Sequence, residues 1–188
     1  MGGLTTACGS VDADTSSAGG QRYSAERVDR GCDLLDLSVL DRWEPHPSNR
    51  SGDKKITELG TVLTCHAENS SIDTDHLAAV NLRAVLHTDK GAALTGYEMS
   101  LDYAKRASGV GVDVAVPSLG ERAAYVYENK TSGPTGNSRY PRSNLQLSLL
   151  DGPLEVHLIM TVAAPITEQE LLAAATEQMQ RITTTLDA

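Results

Sequence analysis

Apolar and polar residues alternate with a period of two in "GTVLTCHAE" (60–68) and in "VNLRAVLH" (80–87), the signature of half-buried strands. In the first, Leu63, Cys65 and Ala67 share one face. In the second, Val80, Leu82, Ala84 and Leu86 do. The stretch "NLQLSLLDGPLEVHLIMTV" (144–162) repeats the pattern in two runs joined by Asp151 and Gly152, a pair that readily takes the positive φ angles of a tight hairpin. Pro153 then opens the return strand, where it fits only if no ladder donor is needed. Three segments read as helices. "DLSVLDRW" (36–43) has Asp36 as N-cap, with Leu37, Leu40 and Trp43 at helical spacing. "ALTGYEMSLDYAKR" (93–106) places Leu94, Tyr97, Leu101 and Ala104 on one stripe despite Gly96. "TEQELLAAATEQMQRITTTL" (167–186) opens with Thr167 and Glu170 as a capping box and carries Leu171, Ala175, Met179, Ile182 and Leu186 as its apolar stripe. Strands interspersed with a few helices predict an α+β domain over 28–188. Its antiparallel sheet has about five strands, packed by N-terminal, middle and C-terminal helices.

Composition narrows this picture. The 188 residues suit one domain, and 40% are hydrophobic, yet phenylalanine is absent and aromatics amount to 4%, so the core must be aliphatic. A formal charge of −9 excludes nucleic acid as an expected partner, because that affinity comes from Lys and Arg neutralising phosphates. No run approaches the 18 or so consecutive apolar residues of a membrane-spanning helix; the richest, "LEVHLIMTVAA", is interrupted by Glu155 and His157.

Cys8, Cys32 and Cys65 are the cysteines. "LTTACGS" resembles the end of a bacterial lipoprotein signal peptide, in which a small residue, here Ala7, precedes a Cys that becomes acylated. Only seven residues precede Cys8, so the start is expected to be truncated or assigned too far downstream. The alternative is a free thiol on a tail. Residues 9–24 are mostly Gly, Ser, Thr, Asp and Ala with little to bury, the composition of a tether, and 1–27 is read as signal end, lipidation site and spacer. One acylated cysteine leaves an even pair, Cys32 and Cys65, for a disulfide in an oxidising compartment.

"CDLL", a short helix, a strand bearing a second Cys, "LGERAAYVY", the hairpin and an amphipathic terminal helix follow in an order that resembles a family of actinobacterial secreted lipoproteins. That family is known mainly as a domain of unknown function, and the likeness covers about 28–187. The resemblance implies a lipid-anchored extracytoplasmic domain on the outer face of the cell membrane and brings no catalytic residues.

Chemical motifs are scarce. There is no G-x-S-x-G elbow, phosphate loop or H-E-x-x-H, and Gly109 and Gly111 punctuate a loop and edge strand rather than a nucleotide site. "DTDH" (73–76) reads as an Asp-rich turn, so no metal and no cofactor is expected. Three N-x-S/T sequons, at Asn49, Asn69 and Asn129, matter only in a eukaryotic secretory route. The long connection "NKTSGPTGNSRYPRS" (129–143) carries Lys130, Arg139 and Arg142, with Tyr140 as an aromatic platform and no acidic residue. It is the candidate surface for an anionic ligand, lipid headgroup or envelope partner, or else a solvated connector. Two function classes follow: a non-catalytic binding or interaction module tethered to the membrane, which is favoured, and an envelope hydrolase whose site assembles only in three dimensions.

Overall fold

The computed structural model describes residues 22–73, 75–109, 113–130 and 141–188. Its strands are β1 (Pro47–Thr57), β2 (Gly60–Ser70), β3 (Leu77–His87), β4 (Val114–Ala115), β5 (Arg122–Lys130), β6 (Arg142–Asp151) and β7 (Leu154–Ala163), and its helices are α1 (Lys90–Ser108) and α2 (Glu168–Leu186). Two 3-10 helices, Gly31–Leu34 and Leu37–Arg42, precede β1. All strands join one antiparallel sheet in the order β1-β2-β3-β7-β6-β5-β4. The sheet has seven strands where the patterning predicts about five. β1 shows no buried position along its length, so it has no alternation to read, and β4 is two residues long.

Alternation sorts the side chains into two layers. One face carries Leu63, Cys65, Ala67, Val80, Leu82, Ala84, Leu147, Val156, Leu158 and Met160, packed under α2 and the 3-10 segments in a single apolar cluster. α2 is capped as its sequence predicts: Thr167 and Glu170 close the capping box, and Leu171, Ala175, Met179, Ile182 and Leu186 are fully buried. Asp36 caps the Leu37–Arg42 turn by accepting from the Ser38 amide, and that segment is a 3-10 helix rather than an α-helix. A disulfide joins Cys32 to Cys65 with Cα atoms 4.7 Å apart, tying the first 3-10 helix to β2. The fit is tight. A Cβ on Gly31 would meet the Thr64 carbonyl oxygen at 2.3 Å, and one on Gly52 would meet Cys32 Sγ at 2.8 Å.

The opposite face holds α1, begun by Asp89 as N-cap and ended at Gly109 in the left-handed conformation. Its buried stripe is Ala93, Tyr97, Leu101 and Ala104, packed on Ala124, Val126 and Leu150. Leu94, placed on that stripe by its spacing, is instead exposed: Tyr97 and Leu101 turn Ala93 to the sheet one position earlier. Packing also begins ahead of the boundary expected at residue 28. Tyr23 is 1% exposed, pairs with Asp187 as an isolated bridge and donates its hydroxyl to Asp151 Oδ2 at 2.5 Å. Burial, then that hydrogen bond, pushes the Tyr23 hydroxyl far above the usual phenol range. Cys8, Arg139 and Tyr140 lie outside the described residues.

Candidate functional site

In β7 the residues alternate with those facing α2, so Glu155, His157, Ile159 and Thr161 share the α1 side of the sheet. Register extends this polar phase across neighbouring strands: Ser148 and Arg83 flank His157, Gln146 and Asn81 flank Ile159, and Asn144 and Ala79 flank Thr161. Farther out, His66 lies opposite Asn81, and Thr64 opposite Arg83.

α1 seals part of this face around Glu155, whose carboxylate is 1% exposed. Arg83 Nη1 donates to it at 3.0 Å, His87 Nε2 at 2.8 Å and Ser100 Oγ at 3.0 Å. Such a carboxylate needs these partners, because an unpaired buried charge is costly. The helix can come this close only through Gly96, where a Cβ would stand 2.2 Å from Glu155 Oε2. Gly96 is thus the seat of the carboxylate rather than a weak point in the helix.

Beside this hub, Ser148 Oγ and His157 Nδ1 lie 3.0 Å apart. Burial holds the His157 imidazole below its ordinary pKa; the Glu155 charge opposes that shift and Arg83 adds to it. Serine, histidine and carboxylate therefore do converge in space. Their geometry is closed, however. Ser148 is 1% exposed, and the three hydrogen bonds of Glu155 go to Arg83, His87 and Ser100, none of them to His157.

Where α1 ends its cover, the same face lies open. Arg83 keeps its side chain 49% exposed, His66 Nδ1 contacts Asn81 Oδ1 at 2.8 Å, and a shallow depression of about 440 Å³ lies over Ser51, Asp53, Thr64, His66 and Asn81. Toward β5 a second polar cluster continues it. Asn144 Nδ2 donates to Glu128 Oε1 at 3.1 Å and Thr161 Oγ1 to Asn144 Oδ1 at 3.4 Å. Between the two halves Gln146 is 5% exposed, and its Oε1 has no hydrogen-bond partner. Met99 and Tyr103, one helical turn apart on α1, are 68% and 62% exposed.

Of the residues expected to form a cationic surface, Lys130 and Arg142 are among the described ones. Lys130 and Arg142 are direct cross-strand neighbours at the open end of β5 and β6, in the same phase as Glu128 and Asn144, and Lys130 pairs with Glu128 at 3.1 Å. Sequence reasoning missed Arg83, Asn81, His66 and Gln146. A signal existed: the polar phase of the central strands is rich in amide, imidazole and guanidinium groups. Among the described residues no group of three or more His, Cys, Asp or Glu could hold a metal, and no helix is long and apolar enough to cross a membrane. Asn69 of the second sequon is fully buried, donating to Asp41 Oδ1 at 2.8 Å and the Glu44 carbonyl at 2.6 Å.

No protein-family model matches the chain, and no curated protein is significantly similar to it. Among solved structures, the extracellular domain of PknH from Mycobacterium tuberculosis is similar at 14% identity and a TM-score of 0.47, over 89% of this chain and 98% of that one. At that distance the likeness transfers no function.

Proposed function

We propose that this chain is a lipid-anchored extracytoplasmic domain that binds an anionic envelope ligand on its open sheet face and carries out no chemistry on it. The observation that carries the reading is the exposure of Arg83, Lys130 and Arg142 along one polar phase of the sheet in a chain with net charge −9. In such a setting local cations are the means of attracting an anion. Anchoring rests on Cys8 and the spacer that follows it, and the Cys32–Cys65 bridge suits an oxidising compartment.

Titration with a soluble acidic oligosaccharide tests the binding. Wild type should bind with an affinity that falls steeply as salt rises, since exposed charges are screened within a Debye length of about 10 Å at 0.1 M. Changing Lys130 and Arg142 to Gln should weaken binding while leaving the melting temperature nearly unchanged, because both are exposed. Undiminished binding by this double variant, or none by wild type, would remove the face from consideration. The Ser148–His157 contact keeps the hydrolase as a second reading. A fluorophosphonate probe that labels the wild-type chain but not Ser148→Ala would favour it over the binding module.

A further inference from the structure

The hairpin between β1 and β2 presents two large apolar side chains to solvent: Ile56 is 84% exposed and Leu59 66%. They are held there rigidly. Thr57 Oγ1 donates to the Gly60 carbonyl at 2.9 Å, and the Leu59 carbonyl accepts from the Thr88 amide at 3.2 Å. Gly60 has φ 134°, and a Cβ there would stand 1.9 Å from the Leu86 carbonyl oxygen, so the turn is pressed onto the end of β3. A floppy loop can fold its apolar residues back; this turn cannot.

The place of this tip in the molecule gives the pair a meaning. The Tyr23–Glu26 stretch runs alongside it, and the two border one cleft of about 420 Å³ with Lys54, Ile56, Thr57 and Gly60. Lys54 Nζ fastens them together, donating to the carbonyls of Ala25 and Val28 at 2.7 and 2.8 Å. The chain that leads back to Cys8 therefore leaves from the same end of the sheet as this hairpin, at Arg22, whose guanidinium pairs with Asp151 at the β6–β7 turn at 3.0 Å. Cys8 and Arg22 are 14 positions apart, a separation that no polypeptide can stretch beyond about 50 Å. An 11-residue strand such as β1 is about 36 Å long. An anchor at Cys8 thus draws the tip toward the bilayer more strongly than the other end of the sheet.

We infer that Ile56 and Leu59, with Lys55 beside them, are the membrane-contacting tip of the domain and rest in the surface of the bilayer that holds the Cys8 lipid. This rests on the lipid-anchor reading. Insertion leaves the open sheet face clear for a ligand, since the tip lies at the end of the strands and not on that face. Glu58, also exposed, stays at the headgroup level with Lys55.

The lipidated full-length chain, carrying an environment-sensitive thiol probe at Leu59→Cys or, as control, at Ile72→Cys, is mixed with phosphatidylethanolamine–phosphatidylglycerol vesicles. Ile72 is 96% exposed at the opposite end of β2, and with Cys8 acylated and Cys32 bonded to Cys65 the introduced thiol is the free one. The expected result is a blue shift at position 59 and none at 72. In the unlipidated Cys8→Ser chain, adding Ile56→Ser and Leu59→Ser should lower partitioning into the same vesicles by about tenfold. A chain that floats with the vesicles but shows no shift at 59, or equal shifts at 59 and 72, overturns the tip while leaving the anchor standing. A chain that does not float overturns the anchor, and the tip with it.

Discussion

Glu155 and Gly96 are a coupled pair, and the coupling can be measured. In an exposed helix interior Gly→Ala gains about 1 kcal/mol. Here the new methyl would lie 2.2 Å from a carboxylate oxygen tied by three hydrogen bonds, so Gly96→Ala should instead destabilise by about 1–3 kcal/mol. Glu155→Ala alone should cost about 3–5 kcal/mol, because Arg83 and His87 lose the acceptor they share. With that carboxylate gone, adding Gly96→Ala should be neutral or stabilising. Urea unfolding of the four proteins gives the cycle, and additive penalties would show that Gly96 is not the seat of Glu155. His157 makes a different prediction, with a definite sign. Burial lowers its pKa in the folded state, whereas in the unfolded chain it takes a proton near the ordinary 6.5. Acidification below that value therefore favours the unfolded chain, and the stability present at neutral pH is lost as pH falls toward the lower folded value. Melting temperatures between pH 7.5 and 5.5 should drop less for His157→Gln than for wild type. Equal drops would refute a burial-driven shift. The same residue shows why the site was hard to read from sequence: a polar residue alternating with apolar ones looks solvent-facing, and only the neighbours it meets in the folded sheet half-bury it.

Elements were legible where their signals are local. α2 announces itself by a capping box and a five-residue apolar stripe, and the β6–β7 hairpin by Asp151 and Gly152, with Gly152 at φ 60°. β1 carries no such signal. "PSNRSGDKKIT" is polar but for Pro47, Gly52 and Ile56, has no buried position and becomes a strand only because β2 offers it an edge, a contact that no window of its own sequence encodes. The exchange of Leu94 for Ala93 on α1 is a rotation of one position, set by how Tyr97 and Leu101 seat on Ala124 and Val126. The link between elements that did follow from sequence is the Cys32–Cys65 bridge, since cysteine parity and the inward phase of Cys65 pointed to one pairing. It closes a separation of 33 residues, for which the chain-entropy model gives roughly 3.5–4 kcal/mol. Reduction should accordingly lower the melting temperature by on the order of 10 °C in a domain of this size. A calorimetric scan with and without reductant checks it, and an unchanged midpoint would mean that the first 3-10 helix holds to β2 without the bridge.

Across the whole molecule, the two faces of the sheet are unequal in what they bury. Beneath α2 and the 3-10 segments lies the large aliphatic cluster running from Tyr23 to Leu186. Beneath α1 lies a small one, formed among the described residues by Ala93, Tyr97, Leu101, Ala104, Ala124, Val126 and Leu150, supplemented by the Glu155 hub and by Arg122 stacked 5.1 Å over the Tyr97 ring. Because the cost of opening a segment follows the apolar contacts it surrenders, α1 should lift from the sheet at a lower free energy than global unfolding. Native-state hydrogen exchange should then find the amides of α1 less protected than those of α2, β6 and β7. Trp43, the single tryptophan, packs against the large cluster, and its fluorescence should follow the later, global transition. Lifting α1 would also uncover Ser148 and Glu155, so labelling of Ser148 by an acylating reagent should track α1 exchange rather than tryptophan fluorescence as denaturant rises. Equal protection of α1 and α2, with Ser148 reacting only at the global midpoint, would show one cooperative unit and a polar layer closed until the whole sheet comes apart.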